Sequence, residues 1–301
     1  MVFDRQGPIP TAPFSFLSLD LVKNSYDSSA IAVLPVPYDG TASYKTGARD
    51  GPEAIISASK ELEEYDVELE CEPCKVGIYT APFVEPNMGS PEAMVERVEK
   101  SVGPLVRDGK LVSMLGGDHS ITIGAVRAFS SIYPDLSVLY LDAHADLRHE
   151  YMGTLWGHAS TARRVSEICP LVLAGVRSMS IEEASFITTS NVKYFPWLAE
   201  QSGLLVNDLL EALKSPIYIS IDLDVLDPAL MASVGTPVPG GMPWHYLLTL
   251  LRRVAEVHRI VGFDVVELSP REGPAACSFT AASLAYKLMG YCTVFGAKLP
   301  G

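Results

Sequence analysis

Positive charge is scarce in this chain. Its 23 lysines and arginines stand against 36 aspartates and glutamates, a formal net charge of -13 with the six histidines neutral. Such a surface repels nucleic-acid phosphates and anionic membranes but tolerates a small cation. Cysteine is thin as well: Cys71, Cys74, Cys169, Cys277 and Cys292 are odd in number and spread over 301 residues, unlike a secreted disulfide framework. Cys71 and Cys74 form a single C-x-x-C, which without a second pair reads as reduced thiols in a turn rather than a zinc site. No run of eighteen uncharged apolar residues occurs, and the opening MVFDRQGPIPTAPFSFLSLDLV has no basic stretch leading into an unbroken apolar one. The expected compartment is therefore the cytoplasm. Phosphate-cradling motifs are missing too, so Gly116 and Gly117 are expected to serve close backbone packing.

Short apolar runs, by contrast, are plentiful. Eight recur: AIAVLPV from Ala30, KVGIYT from Lys75, KLVSML from Lys110, SVLYLD from Ser137, LVLAGV from Leu171, VKYF from Val192, PIYISID from Pro216 and RIVGFDVVEL from Arg259. Most are continuously apolar, the pattern of strands covered on both faces. Between them lie segments of helical period such as PWHYLLTLLRRVAEVHR and SPEAMVERVEKSVGPLVRDG. In the second, Ser90 is placed to cap, Pro91 to open and Gly109 to end the helix. The alternation implies right-handed crossovers and an α/β fold with a mostly parallel, doubly wound sheet; an eight-stranded barrel is the competing architecture. No linker or shift in composition divides residues 1–301, so one domain is expected. In either fold, ligands gather at the carboxyl ends of the strands.

Three of the runs end in acids and histidines. KLVSMLGGDHS carries Asp118 and His119, SVLYLDAHADLR carries Asp142, His144 and Asp146, and PIYISIDLDVLDP carries Asp222, Asp224 and Asp227. Alternation along a strand would point Asp142, His144 and Asp146 the same way, and likewise Asp222 and Asp224. Any one acid past a strand can be a turn or cap residue, but three such groups brought together repel one another unless divalent cations intervene. Four of the six histidines (His119, His144, His149, His158) lie close to these acids in the chain. Carboxylates with two imidazoles and no thiolate favour Mn²⁺ or a similar hard ion, and so many donors suit two ions bridged by shared aspartates.

The segments GGDHS, DAHAD, HAS (His158 to Ser160), SIDLDVLDPA, PYDGTASYKTGARDGPEAI and FDVVELSP resemble, in order and across nearly the whole chain, the signatures of the ureohydrolases, the arginase and agmatinase family. YDGTASY, ELEEYD and HAS are closer to the agmatinase branch. The resemblance implies an arginase-like three-layer α/β/α sandwich and two Mn²⁺ per subunit. His119, Asp142, Asp146 and Asp222 would hold one ion, and Asp142, His144, Asp222 and Asp224 the other. It implies that Asp146 carries a proton to the departing amine, that His158 shuttles protons and that Glu267 clamps a guanidinium. Without it, His158 would read as a surface histidine capping HASTARRVSEI, and Glu267 as a helix or turn acid.

The implied reaction is hydrolysis of agmatine to putrescine and urea by water made nucleophilic between two cations. The implied partners are a small cationic guanidino substrate and further copies of the chain, as a trimer or hexamer, with no nucleic acid and no membrane. Alternatives are another guanidino compound, such as guanidinobutyrate or arginine, and a metal-binding member without catalysis. A single-zinc deacetylase has no use for the paired aspartates. Recognition of the far end of the substrate is expected from Leu147 to Gly157 and from Gly175 to Phe186. His245, His258, Met179, Met231 and the tryptophans are expected to pack or lie on helix surfaces. Asp50, in GARDGP, departs from the bulkier residue usual there.

Overall fold

All eight apolar runs form strands, and all eight strands pair in parallel within one sheet in the computed structural model, which describes residues 14–198 and 206–296. The strands are β1 (Ile31–Val36), β2 (Ile78–Thr80), β3 (Leu111–Gly116), β4 (Ser137–Leu141), β5 (Leu171–Ala174), β6 (Lys193–Phe195), β7 (Ile217–Asp222) and β8 (Ile260–Val266). Their spatial order is β2-β1-β3-β8-β7-β4-β5-β6, an open sheet with β2 and β6 at its edges, so the barrel alternative is excluded. The first thirteen residues, which include most of the amino-terminal stretch read for a leader, lie outside the described residues.

The helices are α1 (Gly51–Ser59), α2 (Pro91–Arg107), α3 (Ile121–Ser130), α4 (Thr161–Ser166), α5 (Ile181–Thr189), α6 (Val206–Ala212), α7 (Trp244–Val257) and α8 (Ala276–Gly296). They divide between the two faces. Ile55 and Ile56 of α1, Leu209 of α6, Leu250 of α7 and Leu284 of α8 share one core with Ile31, Val33, Leu139, Leu141 and Ile219. Val98 of α2, Phe129 of α3 and Val165 of α4 share the other with Ala32, Leu34, Val138, Tyr140 and Tyr218. Neighbouring residues of one strand thus feed opposite cores, which is why the runs are continuously apolar. The result is an α/β/α sandwich. Among the described residues no helix is long and apolar enough to cross a membrane.

Local signals fall where expected. Ser90 Oγ accepts the Ala93 N–H at 3.1 Å, Pro91 opens α2, and Gly109 takes φ +73° just beyond it. Gly117 has the role of close packing: a Cβ there would lie 1.7 Å from the Tyr38 carbonyl oxygen. Its neighbour Asp118 donates its N–H to that same oxygen at 2.7 Å, pinning the loop after β3 against the one after β1. Cys71 and Cys74 are both free thiols. His245 is exposed on α7, while His258 ends it, buried against Ser215 Oγ and the Leu210 carbonyl.

Candidate metal centre

The four central strands in space are β3, β8, β7 and β4, and their carboxyl ends supply His119, Glu267, the pair Asp222 and Asp224, and the trio Asp142, His144 and Asp146. His119 Nδ1 lies 3.0 Å from Asp142 Oδ2, 3.1 Å from Asp222 Oδ2 and 3.7 Å from Asp146 Oδ2. His144 Nδ1 lies 2.8 Å from Asp224 Oδ2 and 3.5 Å from Asp142 Oδ1. Two donor groups, His119 with Asp142 and Asp146, and Asp142 with His144 and Asp224, are each compact enough to hold a cation, and Asp142 belongs to both.

Strand alternation is not what brings these side chains together. β4 ends at Leu141, so Asp142, His144 and Asp146 lie in the following loop, and Asp146 has φ +50°. The spacing of two has another cause. Asp142 Oδ1 accepts the N–H of His144, and Asp222 Oδ1 accepts the N–H of Asp224 at 2.8 Å, each aspartate closing a small turn on the residue two ahead. One carboxylate oxygen thus folds the loop, and the other, Oδ2, faces His119. The turn reading holds for Oδ1, and Oδ2 is left facing the cluster, where the expected ligand role would need it.

Electrostatics sets the demand for cations. Burial and the neighbouring Asp142 hold Asp146 well above the usual carboxylate range, and burial with Asp224 does the same to Asp222. Burial and Asp142 also raise Asp224. Burial opposes charge on both histidines, yet the surrounding aspartates win, lifting His119 well above its ordinary value and His144 to about 12. The cluster is balanced by protons where cations would serve. Asp142 Oδ2, fully buried, makes no hydrogen bond of acceptable geometry. A carboxylate oxygen so desolvated, with the His119 imidazole 3.0 Å away but no well-formed hydrogen bond, matches a ligand atom for a hard cation, and oxygen-rich donors with two imidazoles fit a divalent pair.

Glu267 has φ +68° and follows β8; its N–H is held by the Gly117 carbonyl at 2.9 Å, and its Oε1 accepts the His119 N–H at 2.7 Å. Left-handed backbone at both Asp146 and Glu267 costs about 1–2 kcal/mol each, and the surrounding hydrogen bonds hold it. Burial of its carboxyl, with Asp118 nearby, pushes Glu267 up to about 8. Both Glu267 and His158 line a cavity of ≈ 290 Å³ together with Asp146, Asp222 and His144.

His158 lies in a short 3-10 turn before α4, with its ring in the cavity wall, not at the surface. Its Nδ1 is 3.3 Å from Thr41 Oγ1 and its Nε2 is 3.2 Å from Ser43 Oγ. Thr41 Oγ1 gives its one proton to Asp118 Oδ2 at 2.9 Å, so it can only accept from the ring. That assigns the ring proton to Nδ1 and leaves Nε2 basic. Burial lowers the pKa of the imidazole, keeping it neutral. Thr41, Ser43 and the orienting role of Asp118 went unread in the sequence; the polar residues of GTAS beside a strand end were the available signal.

Other expectations sort themselves by geometry. His149 is exposed and outside the cluster. Asp227 is a loop staple, accepting the N–H groups of Ala229, Gly240 and Gly241 at 2.9 Å each. Met231 packs in the core, and Met179 packs against the other core while also lining the cavity. The two loops expected at the far end supply Arg148, Tyr151, Ser178, Met179, Ser180 and Glu183 to the wall. Tyr44, Lys45 and Thr236, not anticipated, complete the mouth. Asp50 is paired with Arg271 at 3.1 Å.

Comparison with known proteins agrees with this architecture. A family model described as the arginase family matches residues 29–290. The chain is 42% identical over 267 residues to an N(1)-aminopropylagmatine ureohydrolase of Thermus thermophilus, covering 88% of this chain and 91% of that protein. It is 38% identical over 291 residues to the N(1)-aminopropylagmatine ureohydrolase of Synechocystis, covering 93% and 94%. The crystal structure of the agmatine ureohydrolase of Thermoplasma volcanium superposes with a TM-score of 0.84 at 31% identity, covering 92% of this chain and 94% of that one.

Proposed function

This chain belongs to the arginase family, and from that premise we propose that its site hydrolyses the guanidinium group of a linear guanidinoalkylamine, agmatine in the first instance, to urea and the free amine putrescine. It is an agmatinase-like ureohydrolase. The observation that carries the reading to this site is Asp142 Oδ2, a buried carboxylate oxygen with no well-formed hydrogen bond at the junction of two cation-sized donor groups.

His119, Asp142, Asp146 and Asp222 would hold one divalent ion, and Asp142, His144, Asp222 and Asp224 the other, with Mn²⁺ favoured by ligand hardness. Bound there, such a pair supplies an acidified water as the nucleophile. Glu267 would orient the substrate. Cations bound nearby would favour its ionised form, and a carboxylate in the cavity wall can meet an arriving guanidinium through two parallel hydrogen bonds that present the central carbon. Asp146, steadied by the Tyr140 hydroxyl at 2.7 Å, would carry a proton to the departing nitrogen. His158, neutral with Nε2 basic, would take up or return a proton at the cavity wall.

A second reading has a specific support. The relatives at 38% and 42% identity are named for N(1)-aminopropylagmatine, so an aminopropyl-extended substrate, giving the corresponding triamine, competes with agmatine. Its extra length would run along Arg148, Tyr151 and Met179. The test is urea release from agmatine, N1-aminopropylagmatine, 4-guanidinobutyrate and arginine by the Mn²⁺-loaded enzyme. Either amine should exceed both acids in kcat/KM by about 100-fold, roughly 2.8 kcal/mol. Preference for an acid overturns the substrate class; no urea from any of the four, with two ions bound, makes the protein a binding member.

A further inference from the structure

Asp264 lies in the middle of β8, fully buried, in the otherwise apolar run IVGFDVV. A carboxyl in such a place costs several kcal/mol unless it is fully hydrogen-bonded, and among the described residues no Lys, Arg or His forms an ion pair with it. Three hydroxyls serve it instead. Tyr218 OH donates to Oδ2 at 2.7 Å, Thr122 Oγ1 donates to Oδ2 at 2.8 Å, and Ser220 Oγ donates to Oδ1 at 2.7 Å. Ser220 is the register neighbour of Asp264 across the β7 and β8 pair, so the sheet itself sets this contact.

Proton counting then fixes a direction. Burial raises the Asp264 carboxyl, while the nearby His119 and the three hydroxyls favour its ionised form; in that form it only accepts, so each hydroxyl gives it its single proton. Ser220 Oγ also lies 2.8 Å from His119 Nε2, and with its own proton committed it can only accept there. Nε2 therefore carries the ring hydrogen. The other ring nitrogen, Nδ1, is the one aimed at Asp142 and Asp222, and the ring plane is held by stacking on Tyr140, with centroids 4.3 Å apart and planes 7° apart.

We propose that Asp264, acting through Ser220, is a positioning residue that presents the Nδ1 lone pair of His119 to one of the two cation positions. The inference rests on the divalent-metal reading given above. It explains why a buried acid is kept where an apolar residue would be cheaper: a hydrogen bond at the far nitrogen sets both the tautomer and the aim of a ligating imidazole.

The test uses the full-length protein. Mn²⁺ is counted after equilibrium dialysis, free Mn²⁺ is followed by its electron paramagnetic resonance signal, and the melting temperature of the metal-free form is measured alongside. Asp264→Asn keeps the shape but replaces one acceptor oxygen by an NH2 donor, so the side chain can no longer accept all three hydroxyl protons in place. The expected result is 10–100-fold weaker binding of one Mn²⁺ with the second ion retained and the metal-free melting temperature not lowered. Ser220→Ala, which removes the link without touching the acid, should show the same selective loss and serves if Asp264→Asn does not fold. Two ions bound as in wild type by both variants would overturn the relay alone. A wild-type chain that takes up no Mn²⁺ would overturn the metal reading, and this inference with it.

Discussion

Two clusters of acids in this molecule are neutralised in different ways. On the helical face, Asp66 and Glu68 meet Lys287, whose Nζ lies 2.8 Å and 3.0 Å from them, and Arg252 reaches Glu68 at 2.8 Å. At the carboxyl rim of the sheet, Asp142, Asp146, Asp222 and Asp224 have two imidazoles and the Tyr140 hydroxyl, and no Lys or Arg ion pair among the described residues. The first cluster brings its own cations and ties the segment after α1 to α7 and α8. The second is too negative for its own partners, which is the mark of a cluster whose counter-charge comes from solution. Acid density alone therefore does not identify a metal site; the identity of the neutralising groups does.

The largest expected effect comes from the rim. Asp222→Asn should abolish Mn²⁺-dependent stabilisation, about 2.7 kcal/mol at an Mn²⁺ concentration one hundred times the dissociation constant, while leaving metal-free stability unchanged, because Asn is the neutral isostere of a carboxyl that its neighbours hold well above the usual range. Thermal melts with and without Mn²⁺ read both arms, and a large metal-free loss would make the rim a structural cluster like the other. The next effect separates chemistry from metal holding: His158→Asn should lower kcat by about 10²–10⁴-fold with two ions still bound. Loss of an ion in that variant would move His158 into the metal shell.

The smallest effect belongs to the helical face. Lys287→Met should cost about 1–2 kcal/mol in urea denaturation with urea-releasing activity unchanged. Burial opposes charge on Glu68, but Arg252, Lys287 and Tyr291 outweigh it and hold its pKa below 4.5. A depressed folded pKa means that this stabilisation is present above pH 4.5 and lost as pH falls through the lower folded value. The Lys287→Met variant should therefore show a shallower loss below pH 4.5 than wild type, and an identical slope would remove Glu68 from the network.

How much of this could be read in the chain depends on how local each cause is. All eight strands announced themselves, because strands covered on both faces must be apolar at every position. The cap at Ser90 and the close approach at Gly117 are likewise written in the residues themselves. Asp142, Asp222 and their partners were legible as candidate ligands through motif resemblance, yet strand alternation does not explain their spacing: the aspartates close turns on the residues two ahead. Asp264 is silent inside FDVVELSP because its role needs Ser220 and His119, 44 residues and more away in the chain.

By itself the sequence determined the element types, the doubly covered sheet and the stock of hard-cation donors, since periodicity and side-chain chemistry are properties of short stretches. Only the tertiary structure decided which oxygen of each aspartate folds a turn and which faces the site. It also decided that His158 points inward with Nε2 beside Ser43 Oγ, and that one acidic cluster is met by lysine and arginine while the other is not. Those outcomes depend on strand order, which sets β3, β8, β7 and β4 side by side, and on distances between residues far apart in the chain. Coulomb and hydrogen-bond energies vary with such distances and with burial, and neither is fixed until the layers pack.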